Sequence, residues 1–261
     1  MSPETLLLAV LVIPLLTALA IFLLDAVPDL REAATLIGSS ALFVAVILLV
    51  STMEGGAGPS HYLATAAPGL DFTFTLEPLG ALFALVASGL WIVNSLYSIG
   101  YMRGNRERNQ TRFYICFAIA LFGAMGVALA GNLFTLFIFY EILTISTYPL
   151  VAHKGDANAQ RGARIYLMTL LGTSIGMLLV AIVGTSSVAG SLDFVPGGLL
   201  AGKVDPAVGS LLLLLFAFGI GKAALMPFHF WLPNAMVAPT PVSALLHAVA
   251  VVKAGVFAML K

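Results

Sequence analysis

Apolar runs of eighteen or more residues recur along this chain. A run that long and poor in charge matches the helix length needed to cross a hydrocarbon core. Eight such spans are read, at about 5–24, 33–50, 79–99, 113–130, 132–152, 165–183, 209–226 and 241–260. The runs are continuous rather than alternating, and lipid demands a backbone that satisfies its own hydrogen bonds, so the spans are helices. The fold class expected is an all-α polytopic membrane protein. The 12 basic and 12 acidic side chains are too few to solvate a globular surface of 261 residues. A soluble enzyme, a nucleic-acid binder and a disulfide-stapled secreted domain are thereby excluded. The single cysteine, Cys116, lies inside an apolar run and reads as small apolar packing. The N-terminal run lacks a basic start, so a retained first span is expected rather than a cleaved signal.

Loops assigned to alternating sides differ sharply in charge. One side carries Arg31, Arg103, Arg106, Arg108, Arg112, Lys154, Arg161 and Arg164; the other carries only Lys203 and Lys261. The first side is expected to be cytoplasmic and the N-terminus outside, in a cell membrane. These arginines are read as a solvated face with no further role. The outer segments 51–78 and 184–208, with Gly55, Gly56, Gly58, Pro59, Pro68, Pro196, Gly197 and Gly198, read as loops or short hairpins.

Formal charges also sit deep in apolar sequence: Glu141 in the fifth span, Lys222 in the seventh and Lys253 in the eighth, with His247 beside the last. Each costs roughly 2.5–3.5 kcal/mol at the bilayer centre, so such groups are expected to face one another or water. At 1.5 Å rise per residue, Glu141 lies ~14 Å from the outer end of its span, Lys222 and His247 ~20 Å, and Lys253 ~10 Å. A chain of four groups in the membrane plane is compatible with those depths. Two readings stand: an inert buried pair gluing helices, or a movable pair that relays protons. An ammonium in oil binds its proton weakly, and an approaching carboxylate tightens it. Imidazole can bridge such groups near neutral pH.

The seventh span runs into GKAALMPFHFWLP. Pro227 cannot donate to the carbonyl of Ala223, so it either breaks the helix at depth or ends it at the surface. On the second reading His229 is an interfacial side chain among Phe228, Phe230 and Trp231. His229 is therefore the weakest proton-path candidate. Thr144, Ser146, Thr147 and Tyr148 are expected to bond neighbouring helices or hold water, and Asn94 to join helices. No metal cluster, dinucleotide fingerprint or thiolate set is present in the sequence, so no cofactor is expected and redox chemistry would belong to partners.

Two stretches, LFIFYEILTISTYPLVAHKG at 136–155 and GKAALMPFHFWLPNAMVAPTPVSALLHAVAVVKAGVFAMLK at 221–261, resemble the antiporter-like subunits of Mrp-type cation/proton antiporters, respiratory complex I and membrane-bound hydrogenases. LYSIGYM at 96–102 is similar to the family's third-span ending. The resemblance implies a charge pair of Glu141 and Lys222 that gates proton movement, with His247 and Lys253 continuing the path. Lys253 makes the chain most similar to the D-type member of the Mrp set. The resemblance also implies that spans four to eight form a five-helix repeat with a broken seventh helix. The expected division is residues 1–112, three spans and loops, and 113–261, the proton-channel repeat. The family's second, inverted repeat is not in this sequence. That implies a naturally split protein, a fragment or a shortened chain, with a partner chain or segment supplying the missing repeat. The expected function is a proton-translocating subunit of a multisubunit Na⁺/proton antiporter, without covalent chemistry of its own. The alternative is a proton-pumping, non-redox subunit in the membrane arm of a complex I-like or hydrogenase-type oxidoreductase. The expected partners are other integral membrane subunits, the bilayer, protons and Na⁺, and no nucleic acid.

Overall fold

A computed structural model describes residues 2–56, 58–195 and 197–261. Pro196, read above as part of an outer turn, lies outside the described residues. The chain is a helical membrane protein. Helices α1 (Pro3–Leu23), α2 (Pro28–Val50), α3 (Pro78–Gly104), α4 (Gln110–Ala128) and α5 (Leu133–Val151) follow one another through short loops, apart from a hairpin between α2 and α3. Helix α6 (Ala157–Thr173) passes through a π turn at Ser174–Leu178 into α7 (Leu179–Ala189). Then come α8 (Pro206–Gly219), the short α9 (Trp231–Ala235), and α10 (Thr240–Ala244), which a second π turn at Leu245–Val249 joins to α11 (Val251–Leu260).

Among the described residues seven helices are long and apolar enough to cross a membrane: α1 to α5, Ala157–Ala189 and Thr240–Leu260. Helix α8 has 14 residues. It rises ~21 Å against a core of ~30 Å, so a crossing there needs the non-helical chain beyond Gly219. The span expected to run to 226 thus stops being helical before Lys222, not at Pro227.

Local chemistry sets the helix starts. Pro3, Pro28, Pro78 and Pro206 each stand in a first turn, where a missing N–H costs nothing. Asn132 caps α5 by accepting from Thr135 N at 2.7 Å, and Asp156 caps α6 by accepting from Ala159 N at 2.6 Å. The polar opening of α6 extends the sixth helix eight residues before its apolar run.

Helix α4 is the hub. It packs on α1, α3 and α5, and most of its residues are buried. Small residues permit this: a Cβ at Gly123 would stand 3.0 Å from the Leu143 backbone, and one at Gly126 would overlap the Phe139 ring. Asn94 joins α3 to α10 by donating to the Pro241 carbonyl at 3.1 Å.

At the end of the bundle away from the arginine-rich loops, β1 (Ser60–Ala67) and β2 (Leu70–Thr75) form an antiparallel hairpin, turning at Pro68 and the positive-φ Gly69. The hairpin is tied to the start of α5: Asn132 Nδ2 donates to Asp71 O at 2.8 Å and Thr73 N to Thr135 Oγ1 at 3.1 Å. At the arginine-rich end, Arg31 corrects its reading as a solvated residue. It is 5% exposed and donates to Gln110 Oε1 at 2.8 Å and Thr111 Oγ1 at 3.0 Å. Arg103 bridges Asp29 and the buried Glu32, locking α2 to α3.

Helix α11 lies directly on the turn that follows α8. A Cβ on Gly255 would fall 2.3 Å from Ala223 N and 2.5 Å from Lys222 C, both backbone atoms that cannot swing aside. Gly255→Ala should cost about 1–3 kcal/mol as overpacking. The check is the thermal unfolding midpoint of the purified protein in its complex, which should fall; an unchanged midpoint would mean the two segments are not so close.

Candidate functional site

Helix α8 ends at Gly219 because its next turn does not continue. Ile220 has φ −80° and ψ 59°, and residues Gly221–Ala223 make a single tight turn. Ala224 then adopts the left-handed region at φ 54°, its N–H bonded to Gly221 O at 3.0 Å. An alanine in that region is unfavourable and persists only where its surroundings impose it. Here the surroundings are close-packed. A Cβ on Gly219 would meet Leu178 N at 2.4 Å, inside the first π turn, and one on Gly221 would meet Thr173 Oγ1 at 2.2 Å. Trp231 is fully buried and donates from Nε1 to the Gly221 carbonyl at 3.0 Å, a second bond to the acceptor that the Ala224 N–H already uses.

Lys222 sits in the middle of this turn and is 0% exposed. Its ammonium is shielded from bulk solvent, and the protein supplies acceptors. Nζ donates to Tyr140 O at 2.7 Å and to Thr144 Oγ1 at 2.6 Å. It also lies 3.1 Å from the centre of the Tyr140 ring, whose negative face attracts a cation. The Lys222 backbone N–H donates to Tyr140 Oη at 3.0 Å. One tyrosine of α5 therefore holds both the main chain and the side chain of the buried lysine. One turn further along, Thr147 Oγ1 and Tyr166 Oη stand 2.6 Å apart, and Tyr166 packs edge-on against Trp231.

Glu141 follows Tyr140 on α5. Both of its carboxylate oxygens are buried, and neither has a hydrogen-bond partner among the described residues. Glu141 and Lys222 form no ion pair within 4 Å. The geometry explains this: consecutive helical residues point about 100° apart, so the face that presents Tyr140 to Lys222 turns Glu141 aside. The carboxylate and the ammonium share one interior, each poised beside the other without contact.

The remaining expected residues lie elsewhere. His247 is half-buried within the second π turn, its Nε2 3.4 Å from Met236 Sδ. Lys253 and His229 are exposed, as is Pro227, which follows the break rather than making it. Among the described residues no hydrogen bond links His247, Lys253 or His229 to Lys222 or Glu141. Sequence reasoning misses Tyr140 and Trp231. The available signal is a tyrosine at mid-span, away from the interfacial belt, where a buried hydroxyl needs a partner.

Residues 130–261, which hold all of these groups, match the family model described as NADH:quinone oxidoreductase/Mrp antiporter, TM. The chain belongs to this family. Residues 62–114 match a second model, the N-terminus of NADH-ubiquinone oxidoreductase (complex I) chain 5. Among curated relatives, the probable K⁺/H⁺ antiporter A/B subunit of Rhizobium meliloti (strain 1021) is 32% identical over 209 residues, which are 78% of this chain and 21% of that one. The Na⁺/H⁺ antiporter A1 subunit of Staphylococcus aureus (strain bovine RF122 / ET3-1) is 30% identical over 222 residues, 83% of this chain and 27% of that one. These names are of the A type, whereas Lys253 points in the sequence to the D type. The chain spans about a quarter of the length of these relatives.

Two solved structures share the fold. One is the membrane-bound sulfane sulfur reductase, an archaeal respiratory membrane complex, with TM-score 0.85 and 25% identity over 99% of this chain and 52% of that one. The other is the Mrp complex of Dietzia sp. DQ12-45-1b, with TM-score 0.84 and 24% identity over 100% of this chain and 28% of that one. The antiporter-like fold is thus matched along essentially the whole chain.

The double role of Tyr140 is open to test. Tyr140→Phe keeps the ring and the carbonyl but removes the acceptor of the buried Lys222 N–H. It should destabilise the protein by about 1–3 kcal/mol, the cost of a buried unpaired donor. Thermal unfolding of the complex reads it, and a midpoint equal to wild type would show that the N–H has another acceptor.

Proposed function

We infer that this chain translocates protons as one component of a multisubunit monovalent cation/proton antiporter in the cell membrane. The observation that carries the reading is the arrangement around α5: a fully buried lysine at a helix break, held by Tyr140 and Thr144, beside a buried carboxylate with no partner among the described residues. A pair locked by a salt bridge would only glue helices. Here the Lys222 ammonium has an alternative site at Glu141, reached by turning its flexible side chain while the packed main chain stays in place. Next to the carboxylate an ammonium keeps its proton; withdrawn into oil it releases it. The two positions are the halves of a proton switch.

Onward transfer runs through His247 to Lys253. The second π turn places His247 on a deformable helical segment, and Lys253 stands on the outer surface of α11, where it would pass a proton to a neighbouring subunit or repeat. Sodium is the cation named for one curated relative and potassium for another, and sodium is the exchanged ion of this reading. The excess of basic residues on one set of loops supports a cytoplasmic arginine-rich end and an outside N-terminus. A second reading is a proton-pumping component of the membrane arm of a respiratory oxidoreductase. It is favoured by the quinone-oxidoreductase family model and by the likeness to the sulfane sulfur reductase complex.

The test is cation-driven dissipation of a pH gradient in inverted vesicles containing the assembled complex. Lys222→Ala and Glu141→Gln should each reduce it roughly a hundredfold, the scale on which a positioned proton-transfer group acts. Lys222→Arg should fail as well, because a guanidinium holds its proton at all physiological pH values. Full transport by either Lys222→Ala or Glu141→Gln in an intact complex ends the relay reading. Proton movement that requires an electron donor, with no response to added cation, selects the second one.

A further inference from the structure

The arginine-rich end of the bundle is not uniformly neutralised. Arg31 is hydrogen-bonded and buried, and Arg103 is paired with two carboxylates. Close by, a separate cavity of about 690 Å³ is lined by Arg106, Arg108, Arg112, Lys154 and Arg164, drawn from the α3–α4 loop, the first turn of α4, the α5–α6 loop and α6. None of these five cations forms an ion pair among the described residues. Glu107 is the cavity's single acidic lining residue, and its carboxylate lies 3.9 Å from His153 Nε2. The concentration of unpaired positive charge over one concave surface calls for an anion.

His153 supplies the second observation. It also lines the cavity and is 5% exposed, yet neither ring nitrogen reaches hydrogen-bond geometry with any partner among the described residues. A backbone group of Arg108 and the Glu107 carboxylate approach it without closing a bond. Burial and the nearby Arg112 push its pKa below the ordinary imidazole value, against a smaller opposing pull from Glu107. A neutral buried imidazole with an unspent N–H, ringed by arginines, is suited to one oxygen of a phosphoryl group. The cavity's floor is the C-terminal end of α5, at Tyr148 and Ala152, where helix gives way to loop. The end of a membrane-spanning helix of this length is where lipid headgroups are met.

We propose that this cavity is a phosphoryl-anion site that holds the phosphate of an anionic phospholipid headgroup, with Arg108, Arg112 and Arg164 as charge partners and His153 as the inner donor. Basic pockets between helices on the positively charged side of membrane proteins bind such headgroups. Inorganic phosphate offers the same chemistry, so the experiment separates the two sources. The purified complex is placed in nanodiscs of phosphatidylcholine doped with phosphatidylglycerol, and native mass spectrometry counts the lipids retained. In parallel, equilibrium dialysis measures radiolabelled inorganic phosphate bound in nanodiscs of phosphatidylcholine alone.

Phosphatidylglycerol should be retained in preference to phosphatidylcholine, and the preference should fall about fivefold for each cation removed. Arg108→Gln/Arg112→Gln and, on other elements of the rim, Lys154→Gln/Arg164→Gln both test this, so the result does not depend on one variant folding. Phosphate binding without lipid preference, lost in both variants, overturns the lipid assignment and gives the site to a soluble phosphate. Equal retention of the two lipids by the wild-type complex together with no bound phosphate overturns the site.

Discussion

A buried ammonium that has lost its water must be solvated by protein, and the rest of this structure is arranged around that demand. Lys222 receives a carbonyl, a hydroxyl and an aromatic face, all from one stretch of α5. The carbonyl it takes belongs to Tyr140 in mid-helix, so α5 must come close and stay in register. The same tyrosine accepts the lysine's main-chain N–H, which the interrupted α8 leaves without an intrahelical partner. Trp231 adds a second bond to the Gly221 carbonyl beside that from the Ala224 N–H. Both of these backbone groups at the break are thus held by a side chain from a different element.

Glycine makes that crowding possible. Gly219, Gly221 and Gly255 bring the broken segment against the π turn after α6, against Thr173, and against α11. Any side chain at these points would pry the lysine turn away from its neighbours. The site is thus compressed from three directions, while the hydrogen bonds of Lys222 itself lie on the fourth, toward α5. The Glu141 carboxylate has no hydrogen-bond partner among the described residues of this interior. Its isolation is costly in a low-dielectric setting and is what turns a packing arrangement into a candidate for switching.

Hydropathy alone locates the helices, because a lipid-crossing segment must be apolar over its whole length whatever its neighbours do. It misplaces ends where polar residues continue a helix beyond the membrane, as at the start of α6, and where an apolar sequence ceases to be helical, as after Gly219. Pro227 is the residue with an intrinsic reason to stop a helix, and the sequence points there. The break lies instead at Ile220 to Ala224, where Gly221 is only a mild helix breaker and Gly219 and Gly221 pack tightly against Leu178 and Thr173. Glu141 and Lys222 are recognisable by the cost of charge in oil. That they stand apart is not legible, because it depends on which side of α5 faces the turn. Arg31 looks like any loop arginine; only the pairing of α2 with α4 buries it.

The two π turns carry a consequence for side-chain direction. A π turn holds one residue more than the α-helical ladder around it, and adding or removing one residue rotates everything beyond it by about 100°. Sliding such a bulge along its helix by one peptide re-aims a single side chain while leaving both flanking segments in place. His247 sits inside one of these bulges. Its imidazole can therefore be steered like the needle of a compass, by a register shift in the main chain, without a helix having to tilt or unfold.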